Sequence, residues 1–130
     1  LWTALDWLEE RLSTQRYLIG DTITEADVRL FTTLVRFDPV YHGHFKCNRQ
    51  RLAEMPALWA YARDLYQTPG FGDTVDFDQI KAHYYVVHTD VNPTGVVAIR
   101  LDELYVATVT GGGDLDEHAA TVSAAVPTMP

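Results

Sequence analysis

Gly20-Asp21-Thr22-Ile23-Thr24-Glu25-Ala26-Asp27-Val28 reads as a loop running into a strongly marked helix start. Thr24 is the N-cap. Asp27 lies three residues on, where a carboxylate reaches back to the N-cap amide in the reciprocal capping-box geometry, with Asp in place of the commoner Glu. Ile23 precedes the cap and Val28 takes the fourth helical position, so the two are placed to close a hydrophobic staple that fixes the entry angle of the chain. An exposed cap of this kind contributes on the order of 1 kcal/mol. A buried Asp contributes more, because its loss strands helix-start amides.

The pattern on either side is helical. Leu1, Leu5, Leu8 and Leu12 repeat at helical spacing with Glu9, Glu10 and Arg11 outside, which predicts an amphipathic helix from residue 1 to about 16. The capped helix runs from Thr24 to about Phe37 and buries Val28, Phe31 and Val35 or Leu34. It should stop at Asp38, since the residue before Pro39 is pushed out of helical geometry. Residues 38–48 are dense in aromatic and functional side chains and read as an irregular segment or a broken helix. A further helix is expected from about Asn48 to Glu54. Pro56 then opens the next, which turns Leu58, Tyr61, Ala62 and Leu65 inward and ends near Tyr66. Thr68-Pro69-Gly70 is a turn. Asp76 and Gln79 form another cap pair, and the helix they start reaches about Val87 with Ile80, Tyr84 and Val87 on one face.

After Gly95 the style changes. Val96–Leu101 and Leu104–Val109 are short β-prone runs that would form a hairpin, although Asp102-Glu103 is a poor two-residue turn. The fold class is therefore all-α: a helical domain over residues 1–95, then a poorly defined, hairpin-containing tail over 96–130 with no assigned role.

The chain has 130 residues, 47% of them hydrophobic and 12% aromatic, which suits one globular domain with a real core. A formal net charge of -8 argues against nucleic-acid and anionic-membrane surfaces as partners. One cysteine rules out an internal disulfide and fits a reducing compartment, so a cytoplasmic location is expected. No apolar run approaches the roughly 20 residues that span a bilayer. The chain opens without Met, inside an amphipathic pattern, and reads as part of something longer.

Candidate chemistry is sparse. His42-x-His44 with Cys47 matches no common zinc spacing, and no metal is expected. Cys47 has Lys46 beside it, but a lone cysteine is more often a small buried hydrophobe than a nucleophile. No glycine-rich phosphate loop, nucleophile elbow or carboxylate pair is visible. Tyr41, Tyr84 and Tyr85 are more suggestive, because phenols on a pocket wall donate to a carbonyl or oxyanion and stack on aromatic ligands. Core packing with a bonded polar tip is the simpler reading on composition alone.

These motifs as a set resemble a known family. Tyr17-Leu18-Ile19-Gly20-Asp21 with Thr24-Glu25-Ala26-Asp27-Val28 resembles the entry into the central helix of the glutathione transferase C-terminal domain. Arg36–Tyr41, His44–Asn48, Leu58–Gln67, Ile80-Lys81-x-His83-Tyr84-Tyr85 and Asn92-Pro93-Thr94-Gly95 resemble the Xi class, the glutathionyl-hydroquinone reductases related to Omega enzymes. The resemblance covers roughly residues 1–97. It implies a transferase-type helical bundle whose thioredoxin-like partner domain, with glutathione and the catalytic cysteine, is absent from this chain. Glutathione is then the co-substrate of the full-length enzyme and is not expected to bind this chain alone. The resemblance also implies a homodimer through the helical domain. It makes Tyr84 the first candidate for contact with an aromatic small molecule, with Tyr41 and Tyr85 behind it. Cys47 does not correspond to the catalytic cysteine, so no residue here is assigned a catalytic role, and Thr24 and Asp27 are structural.

Two functions remain. One is the substrate-binding and dimerising half of a glutathione-dependent reductase, inactive by itself. The other is a non-catalytic helical domain used as a protein-interaction or aromatic-ligand-binding module. The enzyme reading fails if Tyr41 and Tyr84 lie on opposite faces of the fold.

Overall fold

The structure is a computed structural model, and residues 1–94 are described. The expected hairpin and the whole of the tail over 96–130 lie outside the described residues. Four α-helices, α1 (Trp2–Leu12), α2 (Glu25–Arg36), α3 (Pro56–Gln67) and α4 (Phe77–Lys81), are joined by two π turns and two short 3-10 turns. The described residues contain no strand. The expected all-α class holds for them. None of their helices is long and apolar enough to cross a membrane.

The middle of the bundle is α3. Every residue from Ala57 to Leu65 is buried, and α1 and α2 pack against it. Pro56 takes its first position, as the sequence predicts. The helix-start amides of Ala57 and Leu58 donate to the Glu9 carboxylate on α1 at 2.8 and 2.7 Å. A negative charge at a helix N-terminus is favourable, and it also satisfies amides that have no partner within their own helix.

The first helix is shorter than its leucine spacing predicts. It ends at Leu12, where the Ser13 and Thr14 hydroxyls donate to the carbonyls of Glu10 and Arg11. Leu5 and Leu12 are buried, whereas Leu1 is 63% exposed. The Arg11 guanidinium reaches the Leu18 carbonyl at 2.8 and 2.9 Å and ties the connector down. Gly20 completes that connector with φ +72°, a left-handed conformation that side chains disfavour.

The expected capping box is present at the start of α2, and Asp27 is fully buried. Its Oδ2 accepts from the Thr24 amide at 2.8 Å and the Thr24 hydroxyl at 3.0 Å. Its Oδ1 accepts from the Leu18 amide at 3.0 Å and the Tyr61 hydroxyl of α3 at 2.7 Å. One carboxylate thus joins the connector, the start of α2 and the central helix. Burial alone would raise the Asp27 pKa, but these four donors outweigh it and hold the carboxyl below its ordinary value. The same contact pushes the Tyr61 hydroxyl far up, with burial the larger cause.

Val28 corrects the sequence reading. It is 46% exposed, while Phe31, Leu34 and Val35 are buried. The core stripe of α2 is set by Asp27, Phe31, Leu34 and Val35, and Val28 lies about 100° round the helix from Asp27. Ile23 packs against the core, while Val28, its expected staple partner, is exposed.

The chain also does not leave its helical path at Asp38. A π turn, Phe37–Tyr41, carries it on through Pro39, with the His42 amide donating to the Phe37 carbonyl at 2.9 Å. A π turn widens the coil by one residue per turn and gives the proline ring room. The expected Asn48–Glu54 helix shrinks to one 3-10 turn, Leu52–Glu54. Its first amides are taken by the buried Asp38 carboxylate: Leu52 at 2.5 Å and Ala53 at 3.1 Å. Burial raises the Asp38 pKa in spite of those two donors.

Candidate functional site

The last helix starts at its expected cap, where the Gln79 amide donates to the Asp76 carboxylate at 2.9 Å. After Lys81 it widens into a second π turn, Ala82–Val87. This shifts the buried face. Phe77, Lys81 and Tyr85 face inward at four-residue intervals, while Val87, expected to share a face with Ile80 and Tyr84, is 66% exposed.

The two π turns bring the candidate tyrosines together. Tyr41 closes the first and Tyr84 lies in the second. Their ring centroids are 6.1 Å apart with planes at 86°, the edge-to-face geometry that aromatic quadrupoles favour. Burial, with the neighbouring Tyr84 phenol adding to it, raises the Tyr41 pKa. Phe45 adds a third ring, 5.6 Å from Tyr41 and 5.9 Å from Tyr84. The two tyrosines are on one face, so the condition that would have ended the enzyme reading is not met.

Tyr85 differs. It is 2% exposed, and its hydroxyl donates to the Pro39 carbonyl at 3.1 Å, with the Val40 carbonyl at 3.4 Å. It clamps the second π turn onto the first. Burial raises its pKa. Tyr85 therefore lies behind the wall that Tyr41 and Tyr84 form.

Two residues near this wall take places that the sequence reading did not assign them. His44 is 1% exposed and neither ring nitrogen has a hydrogen-bond partner. It sits edge-on to Tyr85 at 5.1 Å and to Tyr84 at 6.0 Å. Burial lowers its pKa, with His88 and Lys46 adding to the effect. A neutral imidazole enclosed by aromatic rings leaves two polar atoms unsatisfied, an arrangement that costs stability. Lys46 takes φ +60°, left-handed backbone in a non-glycine residue. That reversal lets the Cys47 amide return to the Tyr41 carbonyl at 3.0 Å and closes the aromatic segment into a loop. The Cys47 thiol is half-buried and free. No group of three or more metal-ligating side chains occurs among the described residues.

A groove of about 510 Å³ opens elsewhere, between α2 and α4. Val28, Phe31, Val35, Phe71 and Ile80 line it, with Arg36 among them, and none of the three tyrosines does. Val28 is exposed because it forms part of this groove.

Comparison with known proteins agrees with the helical fold. Residues 1–64 match the family model of the glutathione S-transferase C-terminal domain. The chain is 52% identical over 92 residues to glutathionyl-hydroquinone reductase YqjG of Escherichia coli, a match covering 71% of this chain and 28% of the relative. Among solved structures, a glutathione transferase from Gordonia bronchialis superposes with a TM-score of 0.75 at 74% identity, covering 78% of this chain and 32% of the other. A Xi-class transferase from Natrialba magadii gives 0.73 at 56% identity, covering 76% and 30%. The chain thus spans about a third of these proteins or less. Residues 1–64 thus match the glutathione S-transferase C-terminal domain family, and the relatives that the chain resembles are Xi-class glutathionyl-hydroquinone reductases.

Proposed function

We propose that this chain is the substrate-side helical half of a glutathione-dependent reductase acting on glutathionyl-hydroquinones. Tyr84 and Tyr41 form the wall that meets the aromatic ring. The observation that carries the reading is the edge-to-face Tyr41–Tyr84 pair, set at one face by two π turns. The thiol chemistry, the glutathione and the reactive cysteine belong to a thioredoxin-like half. By itself this chain binds the ring and does not turn it over. A homodimer through the helical domain and a cytoplasmic location complete the proposal. Names of relatives support it: one is a glutathionyl-hydroquinone reductase of E. coli and another the corresponding enzyme of Sphingobium chlorophenolicum.

The division of labour follows from what the wall can offer. Two phenols present hydrogen-bonding tips on an apolar surface, and Phe45 extends the aromatic face. A hydroquinone ring meets the same edge-to-face preference that the tyrosines satisfy with each other, and its hydroxyls can donate to or accept from the phenol tips. The wall is one-sided, so a second surface must complete the pocket.

The test is a titration of the chain with a glutathionyl-hydroquinone, followed by NMR shifts of the aromatic side chains. Shifts should concentrate on Tyr41, Tyr84 and Phe45. Tyr84→Phe should weaken binding roughly two- to tenfold, the worth of one neutral hydrogen bond, with the circular dichroism unchanged. Shifts confined to the α2–α4 groove, or glutathione-dependent turnover by the isolated chain, would overturn the reading.

A further inference from the structure

The second π turn has an effect on its outer face that the tyrosine wall does not use. It places His83 and His88, five residues apart, side by side. Their Nε2 atoms are 3.1 Å apart and their rings 4.7 Å centroid to centroid. In an α-helix, residues five apart point away from each other. The widened turn, with its i to i+5 bonding, puts them in register.

We propose that His83 and His88 form a two-nitrogen chelate for a divalent first-row metal ion from the copper–zinc end of the affinity order. Histidine nitrogens bind such ions at about 2.0–2.1 Å, and two ligands at 90–110° are then about 2.9–3.4 Å apart. The separation between the two nitrogens falls inside that interval before any side chain moves. The shared contact already requires one ring to present a bare Nε2. The other ring has only to shift its proton to Nδ1 for both to face an ion. His83 is exposed and His88 partly so, and a hydrated ion can reach them without crossing the core. The net charge of -8 favours a cation near the surface. With two protein ligands, water fills the remaining positions, and the site is open on the side of Tyr84, whose ring lies 5.1 Å from His83 and 6.0 Å from His88.

The experiment is a titration of the full 130-residue chain with Cu2+ alone, read by electron paramagnetic resonance, and with Zn2+ alone, read by calorimetry. One ion per chain should bind with the spectral signature of two equatorial imidazole nitrogens. His83→Ala and His88→Ala should each weaken binding at least about tenfold, since loss of a mere supporting partner already costs that much at metal sites. Tyr84→Phe should leave it unchanged. Both histidines are away from the core, so the circular dichroism of all three variants should match the parent. Stoichiometric binding that survives in the His83→Ala/His88→Ala double variant would belong to the chain's other histidines and would overturn the proposal. So would a parent chain that binds no more tightly than that double variant, in which case the two rings only hydrogen-bond each other.

Discussion

Replacing Asp27 with Ala removes four hydrogen bonds at once, and the structure lets the cost be apportioned. The helix cap supplied through the Thr24 amide is worth about 1 kcal/mol. Leaving the buried Tyr61 hydroxyl without an acceptor costs about 1–3 kcal/mol, and the Leu18 amide adds a smaller amount because it is only partly buried. The expected loss is about 3 kcal/mol, a large share of the 5–15 kcal/mol available to a domain. Urea unfolding followed by tryptophan fluorescence measures it directly. Tyr61→Phe should cost only about 1 kcal/mol, because it removes the donor along with the bond. In the double variant Asp27→Ala/Tyr61→Phe the two losses should not add, since each removes the same contact. The pH dependence gives a second reading. Asp27 has its folded pKa held below the model-compound value of 3.8, so its contribution is fully present above that value. It is lost as pH falls through the folded pKa. The acid limb of stability below about pH 4 should therefore flatten in Asp27→Ala. A loss under about 0.5 kcal/mol, or an unchanged acid limb, would refute the view of Asp27 as the junction of the fold.

Two further outcomes test other junctions. Glu9→Ala strands the Ala57 and Leu58 amides at the start of α3 and should cost about 1–2 kcal/mol in the same unfolding assay, with Glu9→Gln recovering part of it. Gly72→Ala would place a Cβ 2.3 Å from the Tyr66 carbonyl oxygen. Backbone has to move to relieve that overlap, so a loss of about 1–3 kcal/mol is expected by thermal denaturation.

How much of this was legible in the sequence depends on the range over which each signal acts. The start of α2 was legible because a capping box is a local device, complete within Thr24–Asp27. The start of α3 was half legible: Pro56 announces it, but its acceptor, Glu9, lies 48 residues away and carries no local mark. Asp38, which caps the 3-10 turn, is silent in the same way. Both aspartates of α2 and its extension do leave a trace in retrospect. Asp27 and Asp38 fall on the same helical stripe as Phe31, Leu34 and Val35, and a carboxylate on a core stripe signals buried donors. Val28 and Val87 were misread for a different reason. A period of 3.6 assigns their faces only on an unbroken α-helix with a single covered side, and α2 opens onto a groove while the last helix widens after Lys81. The meeting of Tyr41 with Tyr84 came from resemblance, since no spacing rule links residues 43 positions apart.

The π turns give the tyrosine wall an unusual kind of dependence on chain length. Each is equivalent to a helix that has accepted one extra residue without breaking. Deleting a single residue between Lys81 and Tyr84 would restore α-helical phase and swing every later side chain by about 100°. Tyr84 would leave Tyr41, Tyr85 would lose the Pro39 carbonyl, and His88 would change its neighbour, all without any of these residues being altered. The wall is thus held by registry as much as by composition. Point substitution alone does not readily create or remove such an arrangement, whereas one codon gained or lost does both.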